Sequence, residues 1–263
     1  MGGHAASLSS SRWNTIGTFG RHPFSMPGVK TVALDLGDAP AVRSLVTTLR
    51  PDVVLHCAAL GNIDRCEADR SGTSKINAEA VSILADACAR LPCRLILTSS
   101  DMVFDGEKGR YSEGDSVHPL NVYAESKCEA EKAVKALCPD HVVARLALVY
   151  GRAVTGGSSF SEGLLKSWEE GKTPSLFQDQ FRSPIEAANC AEALLELAEG
   201  SFVGTIHLGG PDRVDRYGFG LVLAGLRGIP SERLKAVNLD DVTLQAKRPR
   251  DVSFDISRAA SLL

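Results

Sequence analysis

Tyr123 and Lys127 stand four residues apart in Tyr123-Ala124-Glu125-Ser126-Lys127. On a helix that spacing puts a phenol and an ammonium on one face. A nearby ammonium favours phenolate and lowers the phenol pKa, which suits a proton donor or acceptor near neutral pH. The spacing alone is common, and a solvated pair accounts for it equally simply. Its weight comes from Leu95-Ile96-Leu97-Thr98-Ser99-Ser100-Asp101, an apolar run that ends in hydroxyls. Parallel sheets bind ligands at the carboxyl ends of their strands. Ser100 (or Ser99) is then placed to hydrogen-bond a substrate carbonyl while Tyr123 hands it a proton. Plain strand-end capping is the other role open to the serines.

Elements of alternating type must hold these groups. Short β-rich runs alternate with longer helical stretches, which predicts an α/β fold with a doubly wound parallel sheet. Strands are expected at 13–19, 29–34, 53–57, 94–99 and 141–146, and helices at 39–49, 74–90 and 121–137. The strand runs are apolar on both faces, as in a sheet covered by helices on both sides. After Gly151 the texture changes, with helices expected at 160–170 and 184–199 and a short strand at 204–208. The chain therefore divides into a nucleotide-binding region, 1–150, and a smaller substrate region, 151–263, partly packed back on the first.

Composition narrows the function. The chain has 263 residues, a net charge of -3, 44% hydrophobic and 23% charged residues. That supports a sizeable core and argues against a nucleic-acid binder, which carries a basic stripe. No apolar run approaches a membrane span. Seven cysteines without a CxxC pair or finger-like histidines read as buried thiols in a reducing compartment, so no metal site is expected and the cytoplasm is the default location.

A dinucleotide fold opens with a buried strand and a Gly-rich turn before its first helix. Here no apolar strand precedes Trp13, and Gly2-Gly3-His4-Ala5-Ala6-Ser7-Leu8 resembles the tail of such a turn and the helix after it. The first strand and Gly-rich loop are therefore expected to be lacking, with two interior sheet edges left unpaired. A start upstream, or a shortened relative whose sheet closes differently, are the two readings.

Several stretches together resemble the extended short-chain dehydrogenase/reductases, in particular the dTDP-4-dehydrorhamnose reductase-like group. They are Ala33-Leu34-Asp35-Leu36, His56-Cys57-Ala58-Ala59, Ile63-Asp64-Arg65-Cys66-Glu67, Ile76-Asn77-Ala78 and Ser99 to Gly106. Tyr111 to Lys127, Arg145 to Gly151 and Asp179 to Ile185 continue the match. The resemblance implies a catalytic trio of Ser100, Tyr123 and Lys127, with Lys127 also on the nicotinamide ribose. It places Asp35 and Leu36 beside the adenine, and Ala58 and Ala59 where small side chains let backbone approach the cofactor. Strand packing explains the two alanines equally well. Met102 and Phe104 fall at the substrate, where Met102 replaces the group's usual tyrosine and Ile185 its usual threonine.

Arg21 follows the first predicted strand, where an acidic residue would favour NAD; a base suits the 2′-phosphate of NADP. NADP is the expected cofactor, with NAD left open. Arg182 is a candidate partner for a nucleotide diphosphate. Lys247-Arg248-Pro249-Arg250 is either a second one or a solvated charge run. The reading is an NAD(P)H-dependent reductase of a keto group on a nucleotide-linked sugar, a small-molecule enzyme compatible with a homodimer. The alternatives are a non-catalytic regulatory subunit resembling the methionine adenosyltransferase β-subunit, or an inactive truncated relative.

Overall fold

Leu95, Ile96 and Leu97 are completely buried, and the strand that carries them organises the molecule. The computed structural model describes all 263 residues. The first half runs α1 (Gly2–Ser9), β1 (Thr15–Phe19), β2 (Val29–Ala33), α2 (Ala39–Leu49) and β3 (Val53–His56). Next come α3 (Ile63–Ala68), α4 (Arg70–Ser74), α5 (Ala80–Ala89), β4 (Arg94–Ser100), α6 (Val122–Leu137) and β5 (His141–Leu146). The second half holds β6 (Val149–Tyr150), α7 (Phe160–Glu169), β7 (Ser175–Phe177), β8 (Phe181–Arg182), β9 (Ile185–Glu186) and α8 (Ala187–Glu199). It closes with β10 (Gly204–Leu208), β11 (Val214–Asp215), α9 (Arg216–Leu226), β12 (Lys235–Val237) and α10 (Ser257–Leu262).

The main sheet is parallel in the order β10-β5-β4-β3, and β1 pairs with β2 in a separate parallel ribbon. No strand lies between β1 and β3. The cost of that split is visible in burial. All seven residues of β4 are buried, whereas Val53, Val54 and Leu55 of β3 are only half-buried. Interior strands lose water on both faces and edges; β3 keeps one edge open.

Helices cover both faces of the main sheet. On one side Val81, Leu84, Ala85 and Cys88 of α5 and Ala130 and Val134 of α6 pack on Leu95, Leu97 and Val143. On the other, Cys190, Leu194 and Leu197 of α8 meet Ile96, Val142 and Ile206. Each such fully buried Leu or Ile contributes about 1.5–3 kcal/mol of transfer free energy. Ala5 of α1 packs on Ala191 and Leu195 of α8.

The second half is not a detached unit: β10 completes the main sheet and α8 covers it. Residues 246–254 also return to the loop after β4. Gly106 has φ +82, and a Cβ there would meet Pro249 Cβ at 2.6 Å and the Arg250 amide at 2.7 Å, so only glycine fits. Several short elements, such as α3 and α10, and one longer helix escaped the sequence reading. The expected 74–90 helix is in fact α4, a π-helical turn at Lys75–Glu79, and α5. α9 was not expected at all, because Gly218, Gly220 and Gly225 mask it. Gly220 lets a leucine pack close: a Cβ there would sit 2.4 Å from the Leu176 Cδ1, which would have to turn aside. All seven cysteines are free thiols, six of them buried. No helix is long and apolar enough to cross a membrane.

Candidate active site

α6 is fixed at its start before it presents any chemistry. The Asn121 side chain accepts from the Ala124 amide at 2.9 Å and donates to the Lys247 carbonyl at 2.9 Å. Glu67 accepts the Val122 amide at 3.1 Å, satisfying another of the unpaired amides that every helix N-terminus exposes. Tyr123 and Lys127 then lie one turn apart, as the spacing predicted.

Lys127 is 2% exposed, and its ammonium donates to the Thr98 carbonyl of β4 at 2.6 Å. An ammonium has three donors, so hydrogen-bonding capacity remains after that contact. Ser100, at the end of the same strand, lies close enough to the Tyr123 phenol to oppose the rise in its pKa. Its Oγ donates to Asp101 at 3.1 Å and accepts the Met102 amide at 3.2 Å. The hydroxyl, the phenol and the amine thus converge at the carboxyl end of β4.

Burial sets their acid–base character. It pulls Lys127 down to about 8, against the opposing pull of Glu131. It pushes Tyr123 up to about 12, with Ser100 acting the other way and Asp101 adding to the rise. The sequence expectation of a lowered phenol is therefore not met in this state: desolvation penalises phenolate more than any cation compensates.

A dinucleotide is the group this fold implies, and its ribose end fits the residues present. His56 Nε2, at the tip of β3, is buried without a partner. Burial and the Lys127 charge take that imidazole down to about 4, so it is neutral at pH 7. Ala58 and Ala59 follow in an exposed loop. Asn77 holds the loop's far end, accepting from the Leu60 amide at 2.8 Å and donating to its carbonyl at 3.1 Å. It also reaches Ser126, between Tyr123 and Lys127, at 3.1 Å. Asn77 lies in the π-helical turn, a distortion frequent at functional sites. Its sequence signal was only the Ile76-Asn77-Ala78 stretch. Arg21 and Asp35 are exposed just beyond the carboxyl ends of the paired β1 and β2, and Leu36 packs partly against the core. At the pyrophosphate end the first turn of α1 is covered: a Cβ on Gly3 would meet Thr155 Oγ1 at 2.4 Å, and His4 bonds the Arg152 carbonyl at 2.7 Å.

On the substrate side Met102 is 5% exposed and accepts from Arg182 Nη2 at 3.4 Å through its sulfur. Arg182 is itself 2% exposed, with Nε 3.3 Å from Asp101. Arg216, missed from sequence because α9 was missed, joins it and donates to Gln180 Oε1 at 3.1 Å. Burial pushes Asp101 up, Arg182 down, and Arg216 down to about 9, so the attraction does not repay desolvation. Two guanidiniums face one carboxylate, and Gln180 Nε2 and Asp101 Oδ2 are buried without hydrogen bonds.

Phe104 does not line the cleft. It is fully buried, stacked on Tyr111 at 4.1 Å and edge-on to Phe254, because the returning C-terminal segment encloses it. Of the basic cluster, Arg248 bonds Asp64 at 2.8 Å, and Arg250 pairs with Asp179 and Asp240.

A parallel sheet covered by helices, with a serine, a tyrosine and a lysine at the end of β4, defines a reductase-type nucleotide-binding protein. The chain belongs to the RmlD substrate binding domain family, which it matches over residues 6–263. It is 32% identical over 229 residues to a probable low-salt glycan biosynthesis reductase of Haloferax volcanii, covering 85% of this chain and 76% of that protein. It is 30% identical over 261 residues to the mouse (Mus musculus) methionine adenosyltransferase 2 subunit beta, covering 97% and 77%. A hypothetical dTDP-4-dehydrorhamnose reductase from Sulfolobus tokodaii superposes with a TM-score of 0.87 at 34% identity, over 99% of this chain and 90% of that one. The dTDP-4-dehydrorhamnose reductase of Bacillus anthracis, solved in complex with NADP, gives 0.83 at 25% identity over 89% and 84%.

Proposed function

We propose that this chain is an NAD(P)H-dependent reductase of a keto group on a nucleotide-linked sugar. The observation that carries the reading is the convergence of Ser100, Tyr123 and Lys127 at the tip of β4. A nicotinamide held there would supply the hydride that the carbonyl carbon receives. Ser100 donates to the carbonyl oxygen as negative charge develops there. Tyr123 gives that oxygen its proton, and Lys127 stabilises the phenolate left behind while binding the ribose diol. Arg21 takes a 2′-phosphate, which makes NADP the preferred cofactor, with NAD also accommodated. Ala58, Ala59, Asp35 and Leu36 complete the cofactor side.

On the substrate side Met102 borders the sugar, and Arg182 with Arg216 supplies positive charge for the diphosphate. The relatives named as dTDP-4-dehydrorhamnose reductases support this substrate class. The 1–150 part then binds cofactor and the 151–263 part binds substrate. A cytoplasmic location and a homodimer are consistent with it.

Mixing the protein with NADPH and dTDP-4-dehydrorhamnose tests the reading. Loss of reduced-cofactor absorbance is expected, and Tyr123→Phe should lower kcat by roughly 10²–10⁴-fold while leaving cofactor binding intact. The match to the methionine adenosyltransferase 2 subunit beta favours a second reading, a regulatory subunit. Cofactor binding with no turnover of any keto-sugar nucleotide would select it.

A further inference from the structure

The reactive face of α6 does not end at Lys127. One turn further on, Glu131 is 3% exposed and pointed into the sheet. Its Oε1 accepts from Ser99 Oγ at 2.7 Å and from Arg145 Nε at 2.9 Å, and its Oε2 accepts from Arg145 Nη2 at 2.8 Å. This is a bidentate, charge-assisted pair with a hydroxyl added, joining α6 to both β4 and β5. Ser99 immediately precedes Ser100, so the same carboxylate anchors the helix that carries Tyr123 and Lys127 and the strand that carries Ser100.

Arg145 is not free to swing away. Its guanidinium lies over the Phe104 ring at 5.1 Å and meets His207 Nε2 at 3.5 Å. His207 in turn bonds the Tyr111 carbonyl at 3.0 Å and stacks on Phe254 at 4.0 Å. The tether is therefore built into the core of the molecule.

We propose that Glu131, locked by Arg145 and Ser99, is a positioning residue that sets Lys127 against β4 and keeps its ammonium charged. The proposal rests on the role given to Lys127 in the reduction. Lys127 is 2% exposed, and its neighbours offer little else to hold a charge. The titratable groups facing it are Glu131 and Tyr123 on its own helix, the phenol neutral because burial pushes it up to about 12, and His56 and Cys57 at the end of β3, together with the neutral Thr98 carbonyl on β4. His56 is neutral at pH 7, and burial pushes the Cys57 thiol up to about 11, so it too is neutral. Glu131 is the anion among them. Burial pushes its carboxyl up, but Arg145 and Ser99 outweigh this and hold it below the usual carboxylate range. Lys135, at 3.4 Å and half-exposed, adds positive charge on the far side. Without Glu131, desolvation alone governs Lys127, and the neutral amine gains ground near pH 7.

The test reads Lys127 directly. Protein labelled with ¹³C-lysine is titrated by NMR, with the Lys127 Cε resonance assigned from Lys127→Met. Three variants are compared with the parent: Glu131→Gln, Glu131→Asp, and the double Glu131→Gln with Arg145→Gln. The Lys127 midpoint should fall by roughly one pH unit or more in Glu131→Gln, fall less in the double variant, and stay near the parent value in Glu131→Asp. The double variant leaves no unpaired buried charge, so it carries the test if Glu131→Gln fails to fold. The basic limb of the kcat–pH profile should move with the NMR midpoint, while KM changes little. A midpoint unchanged in both the single and the double variant would overturn the proposal and leave Glu131 a purely structural ion-pair member. The NMR titration needs no turnover, so a parent without activity refutes the proposed reaction without touching this result.

Discussion

Two buried ionic clusters flank the tip of β4, and they are built on opposite principles. Glu131 and Arg145 form a matched pair, with every short contact between them and Ser99 within 2.9 Å. Arg182, Arg216 and Asp101 are poorly satisfied: burial outweighs their attraction, Gln180 Nε2 has no hydrogen-bond partner, and Asp101 Oδ2 has only the 3.3 Å ion pair with Arg182. A saturated cluster has nothing left to offer a ligand and serves to hold α6 on the sheet. An unsaturated one is paid for by the fold and repaid when an anion arrives. The contrast separates the side of the site that must stay rigid from the side that must recognise.

The largest effect expected from breaking this contrast is on the matched side. Arg145→Met leaves the buried Glu131 carboxylate with only Ser99 and the half-exposed Lys135, and chemical denaturation should register a loss of about 3 kcal/mol or more. A loss below about 1 kcal/mol would mean the pair is not holding the helix. On the poorly satisfied side the opposite is expected. Arg216→Gln should leave the melting temperature unchanged or raised, since it removes a poorly satisfied buried charge, while raising KM for the sugar nucleotide about tenfold or more. If that variant melts earlier with KM unchanged, Arg216 belongs to the scaffold and the two clusters are alike.

A pH-dependent effect, read through a single histidine, sharpens the comparison. Burial, aided by Arg145, lowers His207 to about 4, and burial with Lys127 does the same to His56. Both are neutral in the fold, so the unfolded chain takes up protons first as pH falls through the ordinary histidine value of 6.5. Their stabilising contribution is fully present above that pH and is lost on the way to about 4, on the order of 3 kcal/mol for each histidine. His207→Asn should flatten part of that slope in denaturation curves taken across the window. A slope identical to the parent's would place the acid sensitivity elsewhere.

Much of the rigid side was legible in the sequence. The β4 run and the Tyr123/Lys127 spacing are local patterns, and α6 and β4 fell within a residue of their expected bounds. The recognition side was harder to read. Arg216 begins a helix whose three glycines look like loop residues, and Gly220 lets the Leu176 side chain pack directly on the helix. Phe104 was placed at the substrate by motif, whereas the long-range return of residues 246–254 buries it. Glu131 showed no signal of its own, because its partners Ser99 and Arg145 come from two different strands. Helical spacing reports neighbours along one element; it is silent on what the sheet brings to them.

The central claim is that Tyr123 protonates a carbonyl receiving hydride beside Ser100 and Lys127. Reduced nicotinamide cofactor carrying deuterium at its transferable position tests it directly, with dTDP-4-dehydrorhamnose as acceptor and mass spectrometry of the sugar product. The account predicts one deuterium on the newly formed carbinol carbon with the parent protein and, over the same short incubation, labelled product lower by roughly 10²-fold or more with Tyr123→Phe. Equal labelling by both proteins, or no labelled product from the parent, would contradict it.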